Sequence, residues 1–449
     1  MQYQTINPST GEFVQSFDVM TDAVLDVELT ALEDTFLKWS NTSFQYRSEI
    51  VLKLKLALEN EKNRFARIMA IEMGKPLHEG VQEIEKCISL CDYYASNTEA
   101  LLSSYPSAVD IEPLGIIVGI MPWNFPFWQV FRFLIPSLMI GNVVLIKPSQ
   151  NIPQCALAIA ELFHTIDCED KIYSNAFLLD DQVTSVIQDP RVKGVSFTGS
   201  PSVGRIIATT AAKVLKPCVL ELGGSDPMIV CEDVDWGILS DAIVRARCHN
   251  AGQTCIAAKR FFVHKDVFDQ FLMTLTSRLD TLSIGDSLDP TTTMGPLARE
   301  DLKLTLSMQV DQSLSEGAKS RYSYPKKLPE KGNFYPPTVL THLTETMPVL
   351  KEETFGPVYS LVPFGTDDEA VFLSNNSQYG LGASVWSSDS DRAETIAAKL
   401  SVGSVAINQV LSSQASRCFG GLKASGYGKE LGLEGLLSFT NLKSIFKRA

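Results

Sequence analysis

The chain has 449 residues, about three times a typical domain, which predicts two or more lobes with substantial cores. Hydrophobic residues at 45% and charged residues at 20% describe an ordinary globular protein and exclude collagen-like, coiled-coil and disordered classes. The formal charge of -13, with no dense Lys/Arg block, argues against nucleic acid or an anionic membrane surface as a partner.

In chain order, the stretch from Thr21 to about Gly74 carries apolar residues at helical spacing (Val24, Leu25, Leu29, Leu32, then Ile50, Leu54, Leu58), and a further helix is predicted from about Gly80 to Leu102. The character changes at Pro113. Short apolar runs, Ile116 to Met121 and Val143 to Ile146, then alternate with helical stretches such as Ile152 to Phe163, the pattern of βαβ units and a parallel sheet. Runs at Ala176 to Leu179, Gly194 to Phe197, Val219 to Leu220 and Met228 to Val230 continue it, as do Phe261 to Val263, Val358 to Val362 and Val402 to Ile407. The prediction is two α/β lobes that meet near Gly223-Gly224. Phe125 to Ile146 is long enough to suggest a membrane span, but Arg132, Pro126, Pro136, Gly141 and Asn142 interrupt it, so buried globular structure is expected.

The nine cysteines contain no CxxC pair, and Met1 leads into polar residues without a signal-peptide pattern, so a reducing, cytoplasmic setting is expected. Five scattered His residues, with no HExxH or Cys/His cluster, give no metal site.

Several segments carry side chains suited to chemistry. Asn250-Ala-Gly-Gln-Thr-Cys255 sets a cysteine after a glycine turn, a position for a thiolate nucleophile, although a cysteine taken alone is more often a buried inert thiol. Glu221 ends a short strand before Gly223-Gly224; partly desolvated it would be a base near neutrality, and otherwise a strand-end partner of a Lys. Asn124, between Pro122 and Pro126, offers a neutral amide to an oxyanion or simply makes a turn. Phe197-Thr-Gly-Ser200 looks like a strand entering a helix N-terminus, where N–H groups hold a pyrophosphate or merely close a turn. Lys147 ends its strand, where it would reach a phosphate or stand in solvent.

Taken in this order, the segments Pro122 to Pro126, Ile146 to Pro148, Phe197 to Ser200, Glu221 to Gly224, Gly252 to Cys255, Glu352 to Pro357 and Phe419 to Gly426 closely resemble the aldehyde dehydrogenase superfamily along essentially the whole chain. The resemblance implies two Rossmann-like lobes with a small β oligomerisation flap: a cofactor-binding domain at 1–99 and 114–223, a catalytic domain at 224–430, and oligomerisation segments at 100–113 and 431–449 of a homodimer or homotetramer. It implies NAD or NADP as cofactor, Cys255 as nucleophile, Glu221 as the base that activates water, and Asn124 as oxyanion donor. Glu353 and Phe355 match positions that hold the nicotinamide ribose and ring. Trp123, Lys147, Gly199 and Ser200 match the adenosine and pyrophosphate positions. Gln150 replaces a Glu common in NAD-preferring relatives, which leaves NADP acceptable.

The run Phe127 to Arg132 resembles short bacterial succinate-semialdehyde dehydrogenases, with Arg132 as the implied partner of a substrate carboxylate. Ser413 matches a serine that contacts the same carboxylate, and His249 stands where some of that group carry a second basic residue. The expected reaction is oxidation of succinate semialdehyde to succinate. The competing readings are a dehydrogenase of another short aldehyde with Arg132 as a structural salt bridge, a cofactor-free cysteine esterase or thioesterase, and a noncatalytic structural relative.

Overall fold

The computed structural model describes residues 3–106, 109–166, 168 and 171–446. The apolar runs after Pro113 become a six-stranded sheet in the order Gly426–Tyr427, Cys218–Glu221, Val192–Thr198, Ile116–Ile120, Val143–Lys147 and Tyr173–Asn175. All neighbours are parallel except the Gly426–Tyr427 edge. Every residue of Ile116–Ile120 is buried, which for a strand requires cover on both faces and explains its unbroken apolar sequence. The chain steps outward from Ile116–Ile120 to Tyr173–Asn175, then returns to the opposite side of Ile116–Ile120 as Val192–Thr198. That reversal is a topological switch point, and it opens a crevice beyond the carboxyl ends of the two strands. Ile120 runs into Met121-Pro-Trp-Asn124 there, and Thr198 into Gly199-Ser200.

A second sheet of seven strands has the order Lys319–Ser320, Thr338–Thr341, Val358–Phe364, Ala258–His264, Asp226–Val230, Gly382–Trp386 and Ser404–Ile407, parallel except at its first pair. Its core is separate from that of the first sheet, built on Phe261, Leu275, Val358 and Tyr359. The two α/β units expected from the alternation of runs are thus present. Phe419 to Tyr427, expected in the catalytic segment, crosses back: Gly426–Tyr427 pairs with Leu220 and Glu221.

Two long helices, Phe44–Met73 and Leu77–Ser103, pack along each other. Gly74 ends the first at φ +75°, with Pro296 only 2.7 Å from where a Cβ would stand, so only glycine fits. Leu77–Ser103 buries Glu79, Glu83, Cys87, Leu90 and Tyr94 along one helical stripe, an arrangement that brings two carboxylates into the interior.

One expectation changes in detail. The strand predicted at Ala176 to Leu179 falls at Tyr173–Asn175; beyond Ala176 the run packs around Tyr3, whose hydroxyl accepts the Leu178 N–H at 3.1 Å. The apolar stretch from Phe125 to Ile146 divides into a buried helix, Trp128–Ile140, and the strand Val143–Lys147. Among the described residues no helix is long and apolar enough to cross a membrane. Thr440–Ser444 pairs antiparallel with Val109–Pro113 in a separate ribbon. Residues 1–2, 107–108 and 447–449 of the expected segments lie outside the described residues.

Candidate active site

The turn before Cys255 is held by an unusual backbone. Asn250, Ala251 and Gly252 sit consecutively at φ +53°, +52° and +79°. For Asn and Ala this conformation costs about 1–3 kcal/mol each, so the surroundings must enforce it. They do so through hydrogen bonds. The Asn250 N–H donates to Glu79 at 3.0 Å, Asn250 Nδ2 donates to the Asn124 carbonyl at 2.8 Å, and Gln253 Nε2 donates to the Asn250 carbonyl at 3.1 Å. At Gly252 a Cβ would stand 2.5 Å from the Gly356 backbone, so the glycine is required by close approach as well as by φ. Cys255 emerges from this turn half-buried, its carbonyl accepting from Lys259 Nζ at 2.6 Å. Burial pushes the Cys255 thiol up to about 12, against the opposing pull of Arg132 and Lys259.

Asn124 lies against the same turn, with Nδ2 donating to the Gln253 carbonyl at 3.0 Å. An amide has two protons to donate, so the second remains for an oxyanion. The Asn124 carbonyl accepts from Lys75 Nζ at 3.0 Å, and Lys75 is itself ion-paired with Glu83. Glu83 also accepts the N–H groups of Phe127 and Trp128 at 2.8 and 2.9 Å, which caps the N-terminus of the Trp128–Ile140 helix with a carboxylate. The stripe on Leu77–Ser103 therefore fixes both Asn124 and the turn before Cys255.

Glu221 ends its strand with 2% of its surface exposed, and neither carboxylate oxygen has a hydrogen-bond partner among the described residues. Desolvation pushes its pKa up to about 8; the Arg132 charge opposes this and nearby Glu430 adds to it. A buried, unpaired carboxyl that titrates near neutrality is suited to take a proton. A Cβ at Gly420 would stand 2.8 Å from Glu221 Oε1, so the Phe419 to Gly426 segment closes over this group.

Of the residues expected at the cofactor, Lys147, Gln150, Gly199 and Ser200 stand at or just beyond the carboxyl ends of first-sheet strands, and Trp123 meets Phe355. Gly199 donates its N–H to the Glu221 carbonyl at 3.0 Å, and Ser200 caps the Pro201–Lys213 helix. A Cβ at Gly199 would stand 2.5 Å from the Phe197 ring, so the crevice floor has to be bare backbone. Lys147, half-buried at its strand end, has its pKa lowered by desolvation. Gln150 is half-buried on the same connection. From the second sheet, the Phe355 ring meets Trp123 edge-on at 5.7 Å, and Glu353 accepts the Gly224 N–H at 3.0 Å while facing Lys259 at 3.6 Å. Bare backbone, a helix N-terminus, a strand-end ammonium and an aromatic pair suit an anionic dinucleotide.

A cavity of about 570 Å³ reaches Thr254 and Ile256 on either side of the nucleophile, lined also by Lys86, Phe125, Trp128 and His249. Arg132, expected to face it, is not in the lining. With 2% of its surface exposed, Arg132 is ion-paired with Glu430, donates to Thr198 Oγ1 at 3.4 Å, and lies 4.9 Å from the Phe419 ring centroid. The physical reason is that a guanidinium in this interior needs a carboxylate, and the returning Phe419 to Glu430 segment supplies one. His249 Nδ1 lies 3.0 Å from Glu79, so this group too has a carboxylate partner. Ser413 is buried and accepts from Lys86 Nζ at 2.9 Å.

Sequence reasoning missed Lys75, Glu79, Glu83, Lys86, Lys259 and Glu430. The only trace is the spacing of Glu79, Glu83 and Lys86 on one helical stripe, which a solvent-facing helix shows equally often. Among the described residues no group of three or more His, Cys, Asp or Glu could hold a metal ion, and the nine cysteines are free.

A thiol on a strained turn with an amide beside it, and a desolvated carboxyl, are carried on two α/β units, and the sequence matches the aldehyde dehydrogenase family over residues 1–445. The chain belongs to that family. It is 38% identical to a probable NADP(+) succinate-semialdehyde dehydrogenase of Synechocystis sp., covering 99% of this chain and 100% of the relative. It is 39% identical to succinate-semialdehyde dehydrogenase [NADP(+)] 1 of Mycobacterium tuberculosis, with the same coverage. Among solved structures, succinic semialdehyde dehydrogenase from Streptococcus pyogenes in complex with NADP+ superposes with a TM-score of 0.96 at 34% identity, covering 100% of both chains.

Proposed function

We propose that this protein oxidises succinate semialdehyde to succinate with NAD(P), through covalent attachment to Cys255. The observation that carries the chemistry is Glu221, a carboxyl desolvated and without a hydrogen-bond partner among the described residues, whose charge acts on Cys255. The Cys255 thiol gives up its proton to solvent and Sγ attacks the aldehyde carbon, forming a thiohemiacetal whose oxyanion accepts hydrogen bonds from the spare Asn124 N–H and the Cys255 backbone N–H. NAD(P), when bound, supplies the acceptor for the hydride that leaves this carbon. Trp123, Lys147, Gln150, Gly199 and Ser200 would hold the adenosine and phosphate portion, and Glu353 and Phe355 the nicotinamide end. Glu221 then takes a proton from water, the hydroxide attacks the thioester, and the acid departs as Cys255 regains its proton. Lys259, beneath the Cys255 carbonyl, adds positive charge that opposes part of the rise burial imposes on the thiol.

The substrate assignment is supported by full-length relatives named for succinate semialdehyde and NADP(+). Steady-state assays with succinate semialdehyde, butanal and hexanal, each with NAD and with NADP, test it. Reduced nicotinamide should accumulate fastest with the semialdehyde. Acid formation without reduced cofactor would identify a hydrolase instead, and equal rates with the three aldehydes would identify a general dehydrogenase.

A homodimer or homotetramer in the cytoplasm completes the reading. Support comes from the ribbon of Val109–Pro113 and Thr440–Ser444, beside which Leu442, Ile445 and Phe446 are exposed at 42%, 44% and 94%. An open two-stranded edge carrying apolar side chains is a site for pairing with a second copy. Light scattering should return a dimer or tetramer mass, and a monomer would refute it.

A further inference from the structure

Lys259 lies on the Ala258–His264 strand, shortly after Cys255, with 0% of its side chain exposed. Its ammonium turns back towards the chain that precedes it. Nζ donates to the Thr254 carbonyl at 2.9 Å, the Cys255 carbonyl at 2.6 Å and the Ala257 carbonyl at 3.3 Å. A buried charge is costly, and two carboxylates offset part of that cost: Glu353 at 3.6 Å and Asp226, whose charge acts on Lys259 against desolvation. The first of the three carbonyls shares its peptide group with the Cys255 N–H. No described peptide bond is cis, so the Thr254 C=O and the Cys255 N–H point in opposite directions. Lys259 therefore stands on the far side of that peptide from whatever the N–H meets, and it takes no part in the cavity lining. A hydrogen bond from a charged donor polarises the carbonyl, and the N–H of the same peptide becomes a stronger donor in turn.

We infer that Lys259 is a positioning residue of the oxyanion site, which polarises the Thr254–Cys255 peptide so that the Cys255 N–H holds the thiohemiacetal oxyanion more strongly. The inference rests on the proposed attack of Cys255 on an aldehyde. Lys259 acts through the peptide and not on the substrate, and its effect grows with the charge that develops on the aldehyde oxygen.

The test separates this role from the effect of the same charge on the Cys255 thiol. The second-order rate constant of the first turnover is read from the burst of reduced nicotinamide, with succinate semialdehyde and with butanal, in the wild-type enzyme and in Lys259→Met, Lys259→Gln and Lys259→Arg. Alkylation of Cys255 by iodoacetamide is followed at the same pH by mass spectrometry of its peptide. Alkylation needs the thiolate but builds no oxyanion at the site. Loss of a whole oxyanion donor costs about 10²–10³-fold, so weakening one should cost about tenfold. In Lys259→Met the first turnover should fall about tenfold further than alkylation does, for both aldehydes. Lys259→Gln, which keeps a neutral donor, should fall less, and Lys259→Arg should stay nearest to wild type. Equal falls in first turnover and alkylation overturn the inference, since the charge would then act on the thiol alone. An unchanged first turnover in Lys259→Met overturns it too, as does a fall of the same size in all three variants, the mark of a packing role. A wild-type enzyme that gives no burst with either aldehyde overturns the proposed oxidation itself.

Discussion

Glu221→Gln keeps the shape of the side chain and removes its ability to take a proton. With a pKa of about 8, the wild-type carboxyl is roughly one-hundredth ionised at pH 6, one-tenth at pH 7 and nine-tenths at pH 9. General-base catalysis contributes about 10²–10⁴-fold, and only the ionised fraction delivers it. The ratio of wild-type to mutant steady-state rate should accordingly rise about ninety-fold between pH 6 and pH 9, while the mutant still gives a first burst of reduced nicotinamide. Rapid-mixing absorbance across that range measures both quantities. The same burial predicts an effect independent of the cofactor. Between the ordinary carboxyl range near 4.5 and about 8, the folded state binds more protons at Glu221 than the unfolded state does, so wild-type stability falls as pH rises through this window. Glu221→Gln should lack that fall, on the order of a few kcal/mol, in denaturant titrations at pH 5 and pH 8. A rate ratio that stays constant with pH, or a missing burst, would refute the assignment of Glu221 as the base that resolves the thioester.

Cys255→Ser should reduce dehydrogenation below about one-tenth of wild type, because a serine hydroxyl is a far weaker nucleophile, while Cys218→Ser and Cys231→Ser leave it largely intact. Arg132→Met should leave Glu430 buried and unpaired at a cost of about 3–5 kcal/mol, seen as a lower denaturation midpoint, with activity on charged and neutral aldehydes falling together; a selective loss of the charged substrate would return the carboxylate contact to Arg132. Gln150→Glu should shift the kcat/KM ratio towards NAD by like-charge repulsion of a 2'-phosphate, and an unchanged ratio would remove Gln150 from the cofactor site.

Local sequence determined much of the nucleophile region and of the sheets. A run such as Ile116–Ile120 reads as a doubly covered strand because burial on both faces demands unbroken apolar residues, and Gly252 and Cys255 stand out as a glycine turn before a cysteine, although the turn's strained conformation is held by the distant Glu79, Asn124 and Gly356. Tertiary structure decided the electrostatics. Whether Arg132 faces substrate or protein depends on Glu430, which arrives only because Gly426–Tyr427 hydrogen-bonds to the edge of the first sheet. Lys86 and Ser413 are 327 residues apart, and the helix carrying Lys86 has the amphipathic spacing of any surface helix. A charge acquires its meaning from its partner and its dielectric surroundings, and both are set by which distant segments the fold packs around it.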